Sequence, residues 1–285
     1  MAEITIEQQQ YRTYVLSEAP DTRLEVVPER GGIVTRWRVR GQEILYLDVD
    51  RFANPAQTVR GGIPILFPIC GNLPDNTYTH QDNSYTLKQH GFARDLPWTV
   101  VDGPSDSVVL VLESDDRTRA LYPFEFQLTF TYTLQGDTLI THQRISNRSS
   151  EPLPYSIGFH PYFAVSDKAQ LEFDLPATEF QDQRSRTAHP YTGTFDLAQD
   201  ELDLAFNQLS RHSASALDRS RGLRLTIDFS PEFSTLVFWT VQGKDFYCLE
   251  PWSAPRNALN TGDRLLHLDP GATIETRVSY SVSFV

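Results

Sequence analysis

The sequence predicts an all-β fold of many antiparallel strands, a sandwich or a barrel. Three observations carry the prediction. Between residues 124 and 134, Phe124, Phe126, Leu128, Phe130, Tyr132 and Leu134 alternate with Glu125, Gln127, Thr129, Thr131 and Thr133. A period of two gives a strand one apolar and one polar face. Strong helical periodicity is absent elsewhere. Turn signals recur about every ten residues, the spacing of a sheet-rich domain.

Taken in order, residues 24–27 and 33–39 read as strands around Gly31-Gly32, and residues 43–47 return after the turn Arg40-Gly41-Gln42. This early hairpin is rich in β-branched and aromatic side chains. The stretch Arg60-Gly61-Gly62-Ile63-Pro64-Ile65-Leu66-Phe67-Pro68-Ile69-Cys70-Gly71 is apolar, yet its prolines and glycines forbid a long helix or central strand. Such a loop packs under something or lines a pocket. Residues 75–85 are polar and are expected as an exposed loop. His90-Gly91-Phe92-Ala93-Arg94 leads to Trp98-Thr99-Val100-Val101, and residues 108–112 form a buried strand. Gln135-Gly136-Asp137 turns the alternating segment into a strand at 138–146. Its threonine-rich polar face suits the mouth of a sheet beside a shallow cleft.

Residues 153–158 read as a strand running into Gly158-Phe159-His160-Pro161-Tyr162-Phe163. A further strand is expected at 169–175, irregular polar chain at 178–200, and a short helix or loop at 201–209. Residues 223–229, 235–241 and 246–250 are strands, and 251–261 is a loop. Strands at 265–268 and 273–284 close the chain around Asp269-Pro270-Gly271. With no internal repeat and no linker, residues 1–285 are expected to form one domain.

The 285 residues carry a formal charge of -12 and a pI near 5.0. That balance excludes non-specific nucleic-acid binding and anionic membrane surfaces, which need a basic face. An anionic small substrate stays open, because a few arginines make a local positive pocket. The two cysteines, Cys70 and Cys248, lack metal-site spacing, and two free thiols in a reducing cytosol is a simpler reading than a disulfide. Residues 1–10 are polar and do not resemble a secretory signal. No run approaches the ~18 apolar residues of a membrane span. A cytoplasmic protein is expected.

His160 ends an apolar strand and is followed by a proline. Alone, it reads as a half-buried core histidine or as a general acid tuned across neutrality. Glu250 ends the apolar stretch Phe246-Tyr247-Cys248-Leu249 and precedes Pro251-Trp252, a poor setting for a solvated carboxylate. It reads as an edge residue paired with an arginine or as a general base. Arg60, His90 and Arg94 flank the Pro/Gly-rich loop and are structural partners or substrate contacts. Aromatics and forked polar groups in a β cleft are the chemistry of sugar binding. No P-loop, GxGxxG run or Ser-His-Asp order is present.

These motifs, in this order, resemble the aldose 1-epimerase (galactose mutarotase-like) family: Arg60-Gly61-Gly62-Ile63-Pro64 through Phe67-Pro68, His90-Gly91-Phe92-Ala93-Arg94, Gly158 to Phe163, and Leu249-Glu250-Pro251-Trp252. They are most similar to its branch of glucose-6-phosphate 1-epimerases, or hexose-6-phosphate mutarotases. The resemblance implies a β-supersandwich. It implies His160 as general acid, Glu250 as general base, and Arg60 and His90 as substrate contacts. Asp203, in Leu202-Asp203-Leu204-Ala205-Phe206, matches the aspartate that contacts sugar hydroxyls, and Arg94 is a candidate for a phosphate. In that mechanism Glu250 takes the C1 hydroxyl proton and His160 protonates the ring oxygen, so His160 is expected charged at rest and held by a carboxylate or carbonyl. No cofactor or metal is expected. The partner is a small sugar or sugar phosphate, and the protein is expected as a monomer or weak homodimer. A second reading is a non-catalytic carbohydrate-binding protein on the same scaffold. A third is an enzyme acting on another sugar.

Overall fold

A computed structural model describes residues 2–18 and 21–285; Met1, which opens the polar N-terminal stretch, lies outside them. The architecture is all-β and antiparallel, built on three large sheets. The first is a five-stranded meander in chain order: Glu3–Gln8, Arg12–Glu18, Thr22–Val27, Ile33–Val39 and Gln42–Glu43. The second has eight strands, ordered Leu171–Asp174, Ser213–Asp218, Leu223–Phe229, Thr273–Phe284, Thr138–Asn147, Phe126–Gln135, Ser107–Glu113 and Thr99–Val101. The third runs Ala188–Pro190, Glu179–Asp182, Glu201–Phe206, Thr235–Val241, Phe246–Trp252, Gly158–Phe159 and Ile65–Leu66, with Tyr162–Ala164 also paired to Phe246–Trp252.

The alternating segment does what its period dictates. Phe126, Leu128, Phe130 and Tyr132 point into one large apolar core, and the same core takes Leu202, Leu204, Phe206, Leu236, Phe238, Tyr247 and Leu249 from the third sheet. Ring contacts knit the layers: Phe130 meets Phe159 at 5.8 Å and Phe67 meets Phe126 at 4.9 Å between centroids. The Pro/Gly-rich loop is packed, as its composition requires. It bridges Val34 through Ile63 and Leu47 through Gly61. It also accepts at Gly62 O from Tyr162 N–H and at Pro64 O from His160 N–H. The loop thus ties the first sheet to the third.

Several segments differ from expectation. Residues 75–85 are not an open loop: Thr77–His80 and Asn83–Thr86 form a hairpin around Gln81 and Asp82, both at positive φ. Residues 201–209 begin as the strand Glu201–Phe206, whose alternation is short enough to pass for a helix turn or loop. The polar stretch 178–200 hides two short strands, Glu179–Asp182 and Ala188–Pro190. Residues 153–158 split in two: Leu153–Tyr155 pairs with Leu266–Leu268, and Gly158–Phe159 joins the third sheet. The threonine-rich face of Phe126–Gln135 lines no part of the cavity that holds the candidate site. Cys70 and Cys248 are free thiols, both buried. No helix among the described residues is long and apolar enough to cross a membrane.

One turn is positioned by steric exclusion. Gly91 has φ 70°, and a Cβ there would stand 2.1 Å from the Phe67 carbonyl oxygen. Gly136 also has positive φ, 56°, but a Cβ there meets nothing within 4 Å. Gly136→Ala is expected to cost about 1–2 kcal/mol, the left-handed penalty alone. Gly91→Ala is expected to cost clearly more and to disturb His90. Urea midpoints of the two variants test this, and equal losses would contradict it.

Candidate active site

The third sheet carries the site because its strands alternate. Leu249 and Tyr247 face the core, so Cys248, Glu250 and Trp252 face the opposite side. Register places Val237 against Glu250, Trp239 against Cys248, Asp203 against Trp239, and Gly158 against Trp252. His160 follows Gly158–Phe159 directly. Its backbone N–H is fixed to Pro64 O at 3.0 Å, so the loop sets where the imidazole stands.

Arg60, His90, Arg94, His160, Asp203 and Glu250 all line one cavity of about 340 Å³. A larger cleft of about 920 Å³ lies against the first sheet and contains none of the six. Several of its charged groups are already engaged: Arg221 donates to Ala164 O, Glu43 O and Gln42 Oε1, and Glu25 is paired with Arg23 and Arg36. The smaller cavity is where titratable groups converge.

At its floor, His160 Nε2 stands 3.5 Å from Glu250 Oε1. The glutamate side chain is 1 % exposed. Its other oxygen, Oε2, accepts from the Trp252 indole N–H at 3.1 Å. Burial raises the Glu250 carboxyl well above its ordinary value; the nearby Asp203 adds to the rise, while Trp252, Arg256 and Arg94 oppose it. Burial also pushes His160 down to about 3, with the Arg94 charge adding to the fall. The ring stacks on Tyr162 at 4.6 Å and meets Trp239 edge-on at 5.5 Å. A carboxylate partner stands beside His160, and burial favours its neutral imidazole over the imidazolium expected at rest.

His90 is fixed differently. It has φ 66°, and its backbone N–H donates to Gly71 O at 2.7 Å. Its ring Nδ1 accepts from Gly71 N–H at 3.0 Å. A nitrogen that accepts carries no proton, so the neutral ring must carry its proton on Nε2. Burial drives His90 well below its ordinary value, followed by repulsion from Arg94. His90 is thus a neutral ring with a fixed Nε2 donor.

Asp203 comes from the strand Glu201–Phe206. Its Oδ2 accepts from Arg256 Nη2 at 2.9 Å, while Arg256 Nη1 donates to Asn72 Oδ1 at 2.9 Å. Burial raises its carboxyl, and Arg256 opposes the rise. Arg60 is exposed, with its guanidinium 5.7 Å from the Trp239 ring centroid. Arg94 Nη2 donates to Gln89 O at 2.8 Å. Among the described residues, neither Arg60 nor Arg94 forms a salt bridge with a carboxylate. Sequence reasoning missed Arg256, which lies in a segment read only as a loop. It also missed Glu201, whose Oε1 accepts from Trp239 Nε1 at 2.8 Å. The strand alternation from Glu201 to Asp203 was the available signal for the second.

With this geometry in place, the family model for aldose 1-epimerase matches residues 13–281. The chain belongs to the aldose 1-epimerase family. Membership supports a mutarotase-type, isomerase-class function with a small-molecule sugar as substrate. The chromosomal LacX protein of Lactococcus lactis is 31% identical over 72% of this chain and 78% of its own. A protein from Cenchrus ciliaris, provisionally named a glucose-6-phosphate 1-epimerase, is 32% identical over 50% of this chain and 44% of its own. The solved structure of the Slr1438 protein from Synechocystis sp. PCC 6803 superposes with a TM-score of 0.95, 46% identity and complete coverage of both chains. A galactose mutarotase-like protein from Clostridium acetobutylicum shares the fold, with a TM-score of 0.84 at 22% identity over 100% of this chain and 99% of its own.

The depressed histidine has a stability consequence with a definite sign. Between its ordinary 6.5 and about 3, the unfolded chain binds a proton that the native chain refuses at His160. His160 therefore costs stability progressively as pH falls through that window. His160→Gln removes the cost. Denaturant titrations at several pH values from above 6.5 downward are expected to show a smaller acid loss in the variant than in the wild-type protein. An identical loss would mean that His160 titrates normally.

Proposed function

We propose that the protein is a mutarotase that interconverts the α and β anomers of an aldohexose or its 6-phosphate, with Glu250 as general base and His160 as general acid. The observation that carries this reading is the buried 3.5 Å contact between His160 Nε2 and Glu250 Oε1 in the cavity wall. Two groups that exchange a proton with opposite atoms of one sugar must reach the same small volume, and these two do.

The reaction uses only these side chains. Glu250 removes the proton from the C1 hydroxyl as the C1–O5 bond breaks, and O5 takes a proton from His160. C1 becomes an aldehyde, rotates about C1–C2, and the ring closes on its other face as both protons return. The neutral pair, protonated Glu250 with neutral His160, and the ion pair hold the same number of protons. The first matches the open-chain sugar and the second the closed ring. Burial by itself favours the neutral pair. A C1 hydroxyl donating to Glu250 stabilises the carboxylate and moves the proton to His160. The Trp252 indole N–H supports the same shift from the other oxygen. The His90 Nε2–H suits a sugar oxygen, and Asp203, with Oδ2 taken by Arg256, keeps Oδ1 for a hydroxyl.

The 6-phosphate part of the reading rests on cations. Arg60 and Arg94 line the cavity with guanidinium groups that form no salt bridge among the described residues, in a chain of charge -12. Forked guanidinium groups suit phosphate oxygens. The provisional name of the Cenchrus ciliaris relative points the same way. The reading takes residues 1–285 as one domain, supported by the core shared between the two eight-stranded sheets. It also takes the protein as a cytoplasmic monomer or weak homodimer that works without a cofactor.

Polarimetric relaxation of freshly dissolved α-glucose and α-glucose 6-phosphate tests the reading. Glu250→Gln and His160→Gln should each slow the protein-dependent rate by about 10²–10⁴-fold while leaving the fold intact. An unchanged rate in either would remove that residue from its role. Arg60→Gln and Arg94→Gln should each raise KM for the phosphate by roughly tenfold, the loss of one charge-assisted hydrogen bond, and leave glucose less affected. Equal effects on both sugars would argue for hydroxyl contacts instead. Trp252→Phe should lower kcat by roughly tenfold by removing one donor to a charged oxygen. An unaltered kcat would mean that the indole N–H does not hold the carboxylate.

A further inference from the structure

Mutarotation leaves one buried nucleophile beside the acid–base pair unused. Cys248 lies two residues before Glu250 on the same strand and faces the same side of the sheet. A ring nitrogen of His160, the Cys248 sulfur and a carboxylate oxygen of Glu250 all lie within 4.8 Å of one another. All three side chains are buried. Tyr162 and Trp239, the register partners of Cys248, wall the sulfur in on either side.

We propose that His160, Cys248 and Glu250 form an inhibitory site for a borderline-soft divalent cation of the zinc class. Nitrogen, thiolate sulfur and carboxylate oxygen are the three donors that zinc accepts together, at about 2.0–2.3 Å each. The 3.5 Å gap between His160 Nε2 and Glu250 Oε1 is close to the edge of such a coordination tetrahedron. The sulfur, within 4.8 Å of both other ligand atoms, would have to move toward the ion to complete the set. Hard cations such as magnesium and calcium prefer oxygen ligands, and these three side chains offer them a single carboxylate.

Charge also fits. The cation carries two positive charges, and a thiolate and a carboxylate supply two negative ones, so the loaded site is neutral in a buried setting beside Arg94. Cys248 releases its S–H proton to solvent as the metal–sulfur bond forms, and Glu250 is bound as the carboxylate. Because His160 and Glu250 line the cavity, the fourth position of the metal opens where the sugar would bind. Bound metal takes the lone pair of His160 and the oxygen of Glu250, so it blocks both proton transfers. The blockade of activity rests on the mutarotase reading. The binding site itself does not.

Cobalt(II) added to the full-length protein tests the binding alone, because a thiolate ligand produces a sulfur-to-cobalt charge-transfer band. The wild-type protein should develop this band, zinc should abolish it by displacement, and magnesium should leave it unchanged. Cys248→Ser should lose the band while Cys70→Ser keeps it. No band in the wild-type protein, or a band that depends on Cys70 instead, overturns the proposal. If Cys248→Ser does not fold, Glu250→Gln leaves both thiols in place and must weaken cobalt binding; an undiminished band there also overturns it. In the polarimetric assay, zinc should stop the wild-type reaction and a chelator should restore it. Whatever activity Cys248→Ser retains should no longer respond to zinc. A protein that shows the cobalt band but has no mutarotase activity would leave the metal site standing and sink the functional reading.

Discussion

The structure turns on a carboxyl group and an imidazole buried 3.5 Å apart. Neither group tolerates charge easily in that position. Desolvation disfavours the ionised form of each, so it drives the pair toward a shared neutral state. That neutral state and the ion pair with the same proton count differ by one proton across the 3.5 Å contact, so the two groups titrate as a pair. Arg94 and Arg256 lower the Glu250 carboxyl, and Arg94 disfavours the His160 imidazolium. The balance between tautomers is therefore held by a few named cations and one indole N–H, not by solvent.

The fold produces this setting through two simple constraints. Strand alternation in Phe246–Trp252 sends Tyr247 and Leu249 into the core and leaves Cys248, Glu250 and Trp252 on the far face. The glutamate is therefore anchored by the packing of its neighbours. The Pro/Gly-rich loop then brings the second group. Its carbonyls accept from His160 and Tyr162, its bridge to Val34 joins it to the first sheet, and a second bridge ties it to Leu47 just beyond that sheet. Gly91, which has no room for a Cβ against Phe67, sets His90 in its left-handed turn. Three separate stretches of chain meet at one cavity because each is held by backbone contacts.

Much of this was legible in the sequence, for identifiable reasons. The Phe126–Gln135 strand announced itself through strict alternation, and Arg60 to Gly71 announced a packed, irregular loop through apolar residues broken by proline. The six candidate residues line one cavity, although their separations in the chain run from a few residues to nearly two hundred. Other features had no one-dimensional signature. Glu201–Phe206 alternates over too few residues to separate strand from helix. Arg256 looked like any loop arginine until the structure placed it against Asp203 and Asn72. The charge state of His160 depends on desolvation and on Arg94, so motif order alone suggested a charged ring where burial favours a neutral one.

Where the proton sits between His160 and Glu250 is read directly by ¹⁵N NMR of histidine-labelled protein. The His160 ring nitrogens should keep the shifts of a neutral imidazole as pH falls through 6.5 and well below it, with protonation only at about 3. A His160 ring that titrates near 6.5, or that is already doubly protonated at neutral pH without ligand, would contradict it.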